Sequence, residues 1–308
     1  MALANLITSL TDLRDLEKAN KQTFKVRAYD KVIGILKNYD GKEIKTFDDF
    51  KDAGFKGVGK GILEKVEQIF NTGFIQKVED NRIMMEAINA LSMVHGIGPT
   101  KANELYTQHG ISTVEELQSR TDLLNNVQIK GLRYHADCLK RIPRAEMDKH
   151  NALLKTIIKI PFSIAGSYRR KETSSGDIDV IICGKPGGAD TFNPLDDMVS
   201  ALEKSKYMVD TLAHGDKKFM GICKLPRFCT FRRIDLMVID PERYPFALLY
   251  FTGSKTFNVK MRFKALKMGY SLNEFGFTPP VPGKVFKTER DIFDFLEMKY
   301  VDPEFRKC

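Results

Sequence analysis

Gly166-Ser167-Tyr168-Arg169-Arg170-Lys171-Glu172-Thr173-Ser174-Ser175-Gly176-Asp177-Ile178-Asp179-Val180-Ile181-Ile182 decides the reading of this chain. From Ile178 onward the residues are β-branched or apolar, which predicts a strand. Side chains alternate along a strand, so Asp177 and Asp179 leave the same face, close together. Two bare carboxylates so placed repel each other unless a cation neutralises them. Mg²⁺, a hard ion that takes oxygen ligands and substrate phosphates, suits the pair. The apolar run Ile160-Pro161-Phe162-Ser163-Ile164-Ala165 enters the turn at Gly166-Ser167, where glycine lets backbone N–H groups approach a phosphate. Arg170 offers a planar, permanently charged fork for phosphate oxygens, and Ser167 and Ser175 add hydroxyls.

A second stretch, Arg232-Arg233-Ile234-Asp235-Leu236-Met237-Val238-Ile239, reads as another strand. Its alternation puts Ile234, Leu236 and Val238 on one face and Arg233 with Asp235 on the other. Charges on a strand are costly unless they face solvent, a metal or a substrate. Alone, Arg-x-Asp reads as an edge-strand salt bridge. Beside the Gly-Ser and Gly-x-Asp-x-Asp words, Asp235 becomes the third carboxylate of a site where two metal ions gather a nucleoside triphosphate. The chain reads as a nucleotidyltransferase.

At 308 residues the chain exceeds the roughly 100–200 residues of one domain, so several cores are expected. Its formal charge is +9, from 49 basic and 40 acidic residues, which favours a polyanionic partner. Between Phe251 and Tyr270 stand Lys255, Lys260, Arg262, Lys264 and Lys267 with no acid among them, a stretch expected to touch phosphates. Cys138, Cys183, Cys223, Cys229 and Cys308 are scattered and lack Cys-x-x-Cys spacing, so they read as reduced thiols. His95, His109, His135, His150 and His214 show no metal spacing and read as surface or packing residues. No signal peptide and no long apolar run is visible, so a soluble intracellular protein without a membrane partner is expected.

Residues 1–80 carry apolar positions at helical spacing, as in Ile62-Leu63-x-x-Val66-x-x-Ile69-Phe70, and predict an all-helical domain. A second helical segment, about 81–141, ends at Ile142-Pro143. Beyond it come strands at Phe162–Ala165, Asp177–Cys183 and Arg233–Ile239, a helix at Asp196–Lys204 and a final amphipathic segment, Asp291–Lys299. One repeat recurs: Gly57-Val58-Gly59 and Gly96-Ile97-Gly98 each stand between predicted helices, the second glycine opening the next helix. Free N–H groups and the helix dipole there favour phosphate without reading bases, so nonspecific contact with DNA is expected.

The ordered words GVGKGILEKVEQ, HGIGPTKA, KRIPRAEM, GSYRRKETSSGDIDV, GDKKFMGICKLP, RRIDLMVI, ALLYFTGSKTFN and MGYSLNEF, spread between about Thr23 and Lys307, resemble the family X DNA polymerases, the family of DNA polymerase β. No segment is left for a BRCT domain, so the likeness is to the compact two-domain form. The resemblance implies an α+β multidomain fold: 1–80 a helical 5′-deoxyribose-phosphate lyase-like domain with helix-hairpin-helix motifs, 81–143 a thumb-like DNA-binding subdomain, 144–241 the β-sheet catalytic subdomain, and 242–308 a nucleotide-binding subdomain. It further implies template-directed filling of short gaps in base-excision repair by a monomer acting on gapped or nicked double-stranded DNA and deoxynucleoside triphosphates. Two Mg²⁺ ions, for which Mn²⁺ can substitute, would serve the chemistry, and a monovalent cation would sit at the hairpins. The location implied is the nucleus of a cellular eukaryote, otherwise cytoplasm or virion.

By the same resemblance Asp177 and Asp179 hold both metals, and Asp235 holds the catalytic one and helps take the primer 3′-hydroxyl proton. Arg141, Ser167, Arg170, Ser175 and Gly176 bind the triphosphate, and Arg233 orients Asp235. Tyr250 and Phe251 discriminate the sugar ahead of a cis peptide at Gly253–Ser254. Asn258 faces the incoming base, Arg262 the template strand, and Lys218 a template phosphate. Lys65 matches the Schiff-base lysine; neighbouring cations such as Lys25, Lys60 and Lys77 favour a neutral, nucleophilic amine, and with Tyr29 they contact DNA.

Four positions depart from the family pattern. Gly61 replaces a phosphate-binding lysine, Phe24 a histidine and Asp30 an arginine, which points to a weakened lyase, and Lys255 stands at an acidic position beside the incoming base. Two rival functions are a template-independent terminal nucleotidyltransferase and a noncatalytic DNA-binding scaffold. The short run Pro226-Arg227-Phe228-Cys229-Thr230 ahead of the third carboxylate disfavours the first, and the three retained carboxylates disfavour the second.

Overall fold

Leu6, Leu10, Leu13 and Leu16 recur every third or fourth residue along the helix Leu3–Ala19, and all four are buried. They meet Val32 and Leu36 of the helix Thr23–Lys37, Phe50 of Phe47–Asp52, and Val66 and Ile69 of Lys60–Thr72 in one core. A second core gathers Ile88 and Leu91 of Arg82–Ser92, Ala102 and Leu105 of Pro99–His109, and Leu117 of Val114–Gln118. Capping boxes at Thr46–Asp49 and Thr113–Glu116 start two of these helices, and left-handed glycines, Gly73 and Gly110, end two others. This computed structural model describes residues 3–41, 43–55, 57–184 and 194–307. The chain divides into two compact units, Met1–Leu132, to which both helical cores belong, and Arg133–Cys308.

In the second unit, strands β1 (Phe162–Ile164), β2 (Ile178–Cys183), β3 (Met208–His214), β4 (Lys218–Cys223) and β5 (Arg232–Ile239) form one sheet in the order β1-β2-β5-β4-β3. Only β2 and β5 run parallel; their other neighbours are antiparallel. Ile178, Val180 and Ile182 of β2 and Ile234, Leu236 and Val238 of β5 bury one face against Met147 and Leu154 of the helix Arg144–Ile157 and Leu195, Met198 and Leu202 of Pro194–Lys204. The opposite face carries Asp179 and Asp235, then Ile181 and Met237, which pack with Ala247 of the helix Tyr244–Thr252. A further core of Phe246, Leu249, Phe257, Met261, Phe277, Ile292 and Phe293 joins that helix to Lys255–Lys267, a short hairpin (Ser271–Asn273 with Gly276–Thr278) and Glu289–Phe295.

The expected strands around 162–183 and 233–239 are present, with Asp177 just ahead of its strand. Strands β3 and β4 add to those expected. No helix among the described residues is long and apolar enough to cross a membrane.

Candidate active site

Strand register brings the second and third carboxylates together: Asp179 on β2 pairs directly with Asp235 on the parallel strand β5. Asp177 accepts a hydrogen bond from the Arg233 guanidinium. Arg233 Nε lies 3.9 Å from Asp235 Oδ1, and Lys218 Nζ lies 3.9 Å from Asp235 Oδ2. Arg233, expected to orient Asp235, thus hydrogen-bonds Asp177, because its planar fork reaches both carboxylates.

Burial, with Asp177 and Asp235 nearby, pushes the Asp179 carboxyl up to about 7. Burial also raises Asp235. Asp235 Oδ1 is buried without a hydrogen-bond partner. Such an oxygen beside a second half-buried carboxylate fits a hard divalent cation, which would bind that atom and cancel the like charges. Among the described residues no three ligating side chains stand close enough to hold a metal ion without rearrangement.

Gly166 explains how the turn reaches the carboxylates. It adopts φ +57°, and a Cβ built there would lie 2.8 Å from Asp179 Oδ2. Only glycine suits both the left-handed backbone and this close approach. The Ala165 N–H donates to the Asp179 carbonyl at 2.8 Å and fastens the turn to β2.

A cavity of about 750 Å³ opens over this turn, lined by Arg141, Ser167, Arg170, Gly176, Asp177 and Asp179 among others. Tyr250, Phe251, Gly253, Lys255, Asn258 and Arg262 also line it. Ser175 lies beneath, buried, and hydrogen-bonds Ser167 hydroxyl to hydroxyl at 2.9 Å. Arg141 donates to the Ser174 hydroxyl at 3.1 Å and to its carbonyl at 2.6 Å. Arg170 donates from Nη1 to the Thr252 carbonyl at 2.6 Å, while its buried Nε makes no hydrogen bond and lies 3.7 Å from Glu172 Oε1. The Gly253–Ser254 peptide that follows is cis. Asn258 donates to the Tyr250 carbonyl at 2.6 Å, and Arg262 stacks 4.9 Å from the Tyr250 ring. Chemically, the cavity offers guanidiniums and hydroxyls for a polyphosphate and an aromatic pair for a sugar or base, next to carboxylates fit for a cation.

The first unit builds its glycine pairs alike. Gly57 and Gly96 adopt φ +90° and +85°. Gly59 and Gly98 cap the following helices with φ, ψ of −85°, 169° and −90°, 170°. A sequence repeat is therefore a conformational repeat, with no side-chain cap at either helix start and Pro99, which has no N–H, opening the second helix. The Gly96 carbonyl accepts a hydrogen bond from Gln128 Nε2 at 3.0 Å.

Elsewhere in this unit, Lys65 stands half-buried on the helix Lys60–Thr72, and Lys60 at its start is exposed. Lys25 and Lys77 both turn to the buried Glu17, at 3.5 and 2.6 Å. Tyr29 is buried.

Four family models match the chain in succession: a helix-hairpin-helix domain over 1–75, the fingers domain of DNA polymerase lambda over 89–139, the DNA polymerase beta palm over 141–241 and the DNA polymerase beta thumb over 247–307. The chain belongs to the family X DNA polymerases. It is 30% identical to DNA polymerase lambda of Rattus norvegicus over 96% of its own length and 55% of that protein. It is 28% identical to DNA polymerase lambda of Arabidopsis thaliana, covering 91% of this chain and 57% of the relative. The DNA polymerase/3′-5′ exonuclease PolX of Bacillus subtilis (strain 168) is 26% identical over 95% of this chain and 52% of its own. The chain thus spans about half the length of these curated relatives. In this family vocabulary the residues described above as thumb-like fall under the fingers name, and the nucleotide-binding segment under the thumb name.

Sequence reasoning missed a buried network on this family X palm and thumb. Arg169 donates to Glu289 from both terminal nitrogens, at 2.9 and 2.7 Å, and Arg306, fully buried, donates to the same carboxylate at 2.7 Å. Burial works to raise the Glu289 carboxyl, but the two guanidiniums hold it below its usual value. Glu17 was missed as well, although an acid among leucines on a core-facing helix is a visible signal. Cys138, Cys183, Cys223 and Cys229 are free thiols, and Cys308 lies outside the described residues. His150 is buried, with Nδ1 2.7 Å from the Tyr207 hydroxyl. His214 pairs with Asp196 at 2.8 Å.

Proposed function

We propose that the chain is a template-directed DNA polymerase that fills short gaps during base-excision repair, transferring a nucleotidyl group from a deoxynucleoside triphosphate to a primer 3′-hydroxyl. The observation that carries this reading is the pairing of Asp179 with Asp235 beside the arginine-lined cavity, with Asp235 Oδ1 buried and accepting no hydrogen bond. Residues 81–143 would serve as a DNA-binding subdomain, 144–241 as the catalytic one and 242–308 as the nucleotide-binding one.

Asp177 and Asp179 would hold both Mg²⁺ ions and Asp235 the catalytic one; bound there, Mg²⁺ or Mn²⁺ would polarise phosphoryl oxygens and acidify the primer hydroxyl. Asp235 accepts the hydroxyl proton through the oxygen that makes no hydrogen bond. Arg233 gives up Asp177 and keeps Asp235 oriented. Arg141, Arg170, Ser167 and Gly176 receive the triphosphate, with Ser175 bracing Ser167. Tyr250 and Phe251 crowd a 2′-hydroxyl, Asn258 meets the base, and Arg262 and Lys218 meet the template strand. The amides at Gly57–Gly59 and Gly96–Gly98 bind the duplex backbone, with a monovalent cation at the hairpin carbonyls.

A 5′-deoxyribose-phosphate lyase activity belongs to residues 1–80 in this reading. Lys65 attacks the sugar aldehyde and water leaves; the imine acidifies the adjacent C2′–H, whose proton passes to solvent as the 3′-phosphate departs, and hydrolysis then frees the amine. Lys25 and Lys77, which Glu17 draws together from different helices, serve the 5′-phosphate with Lys60.

Extension of a primer at a one-nucleotide gap, with and without Mg²⁺, tests the polymerase reading. Template-directed addition of deoxynucleotides that requires Mg²⁺ is expected. Addition that ignores the template, or none, would overturn it.

A further inference from the structure

The outer face of the helix Lys255–Lys267 is apolar and cationic where an exposed helix is ordinarily polar. Val259, Phe263 and Leu266 recur at i, i+4 and i+7 and are 37%, 49% and 62% exposed. The buried face is already supplied by Phe257, Met261 and Ala265, so these three side chains have no part in the core. Lys260 and Lys267 flank the stripe, both exposed. The Lys267 ammonium lies 4.6 Å from the Phe263 ring centre. No acid occurs anywhere in the helix.

Two observations identify what covers this stripe. Lys264 pairs with Glu297 at 3.2 Å, and the other four cations of the helix, with no acid among them, would repel a second copy of the same face and attract a polyanion. The stripe is also continuous with the cavity, because Val259 and Arg262 line it while Phe263 and Lys267 continue one and two turns outward from Val259. A nucleotide selected by a template must meet its partner base at this cavity. Where the gap exceeds one nucleotide, the next template bases are unpaired and must leave past its rim. Exposed aromatic rings interleaved with cations are the chemistry that binds unpaired strands, by stacking on bases and pairing with phosphates.

We infer that Phe263, with Lys260 and Lys267 around it, is a platform for single-stranded template DNA ahead of the site of synthesis. The inference rests on the polymerase reading above. Phe263 stacks on an unpaired base and the lysines meet the flanking phosphates. The platform makes longer gaps better bound than a one-nucleotide gap, which leaves no unpaired base beyond the templating one.

The chain contains no tryptophan, so Phe263→Trp creates a single fluorophore at the platform. The probes are two duplexes sharing one primer terminus, one with a one-nucleotide gap and one with an unpaired template of about six nucleotides, within the usual site size for a single strand. Quenching of Trp emission by the second duplex and not the first is expected. Wild type should bind the second more tightly, and Phe263→Ala should lose about tenfold in affinity for it, as loss of one stacked base implies, while keeping its affinity for the one-nucleotide gap. Emission unchanged by the longer single strand, or equal losses on both duplexes, would overturn the platform. Failure of the wild type to bind either duplex would instead count against the polymerase reading.

Discussion

Asp179 and Asp235 face each other across a parallel strand pair, two carboxylates in register on the same side of the sheet. Both are strained there: Asp179 is pushed up to about 7, and Asp235 keeps a buried oxygen without a hydrogen bond. A sheet that places like charges side by side carries a cost that binding a cation would recover.

That cost predicts a trade of stability against activity. Asp179→Asn should raise the melting temperature in metal-free buffer by about 2–4 °C, the shift expected from ~1 kcal/mol in a domain of this size. The same change should remove the stabilisation that added Mg²⁺ gives the wild type. Thermal denaturation with and without Mg²⁺ checks both, and a lowered melting point in metal-free buffer would show that Asp179 supports the fold.

Gly166→Ala tests the turn. The new Cβ would collide with Asp179 Oδ2 and occupy a left-handed backbone, at a cost of about 1–2 kcal/mol. Gap-filling activity should fall by about a hundredfold or more as the carboxylate is displaced. A normal rate in the folded variant would mean that the carboxylate tolerates the shift.

His150 sets an acid limit. Burial lowers its pKa to about 4 from 6.5, against the opposing pull of Glu146 3.6 Å away. The unfolded chain therefore binds the proton more readily, and stability present above pH 6.5 is lost as pH falls toward 4, by up to about 3 kcal/mol. His150→Gln should flatten the fall between those pH values in urea titrations. An unchanged slope would assign the acid sensitivity to other groups.

Lys65 is tested by trapping. Borohydride should link the wild type covalently to an incised abasic site, and Lys65→Ala should lose the adduct while keeping gap filling. Gly61, Phe24 and Asp30 predict a slow reaction. An adduct of full strength in Lys65→Ala would move the nucleophile to Lys25 or Lys60.

What was legible in the sequence was what repeats locally. Period-two alternation revealed β2 and β5, and with them the side on which Asp179 and Asp235 stand. The glycine repeat announced two matching hairpins, since few residues share that backbone. Strand β3 escaped because irregularities between Met208 and Asp210, and between Thr211 and Ala213, break its alternation. The Arg169–Glu289 pair spans 120 residues, and no local pattern announces such a partner. The Arg233 hydrogen bond to Asp177 was hidden for the same reason, although both residues had been singled out.

Single-turnover extension at a one-nucleotide gap by wild type and Asp235→Ala, with DNA affinity measured on the same preparations, tests the central claim most directly. The account predicts that addition by Asp235→Ala falls at least about a thousandfold while affinity for gapped DNA stays within about twofold, because the loss lies in the transition state. Retention of more than about a tenth of the wild-type rate, where metal-assisted chemistry carries several kcal/mol, would contradict it.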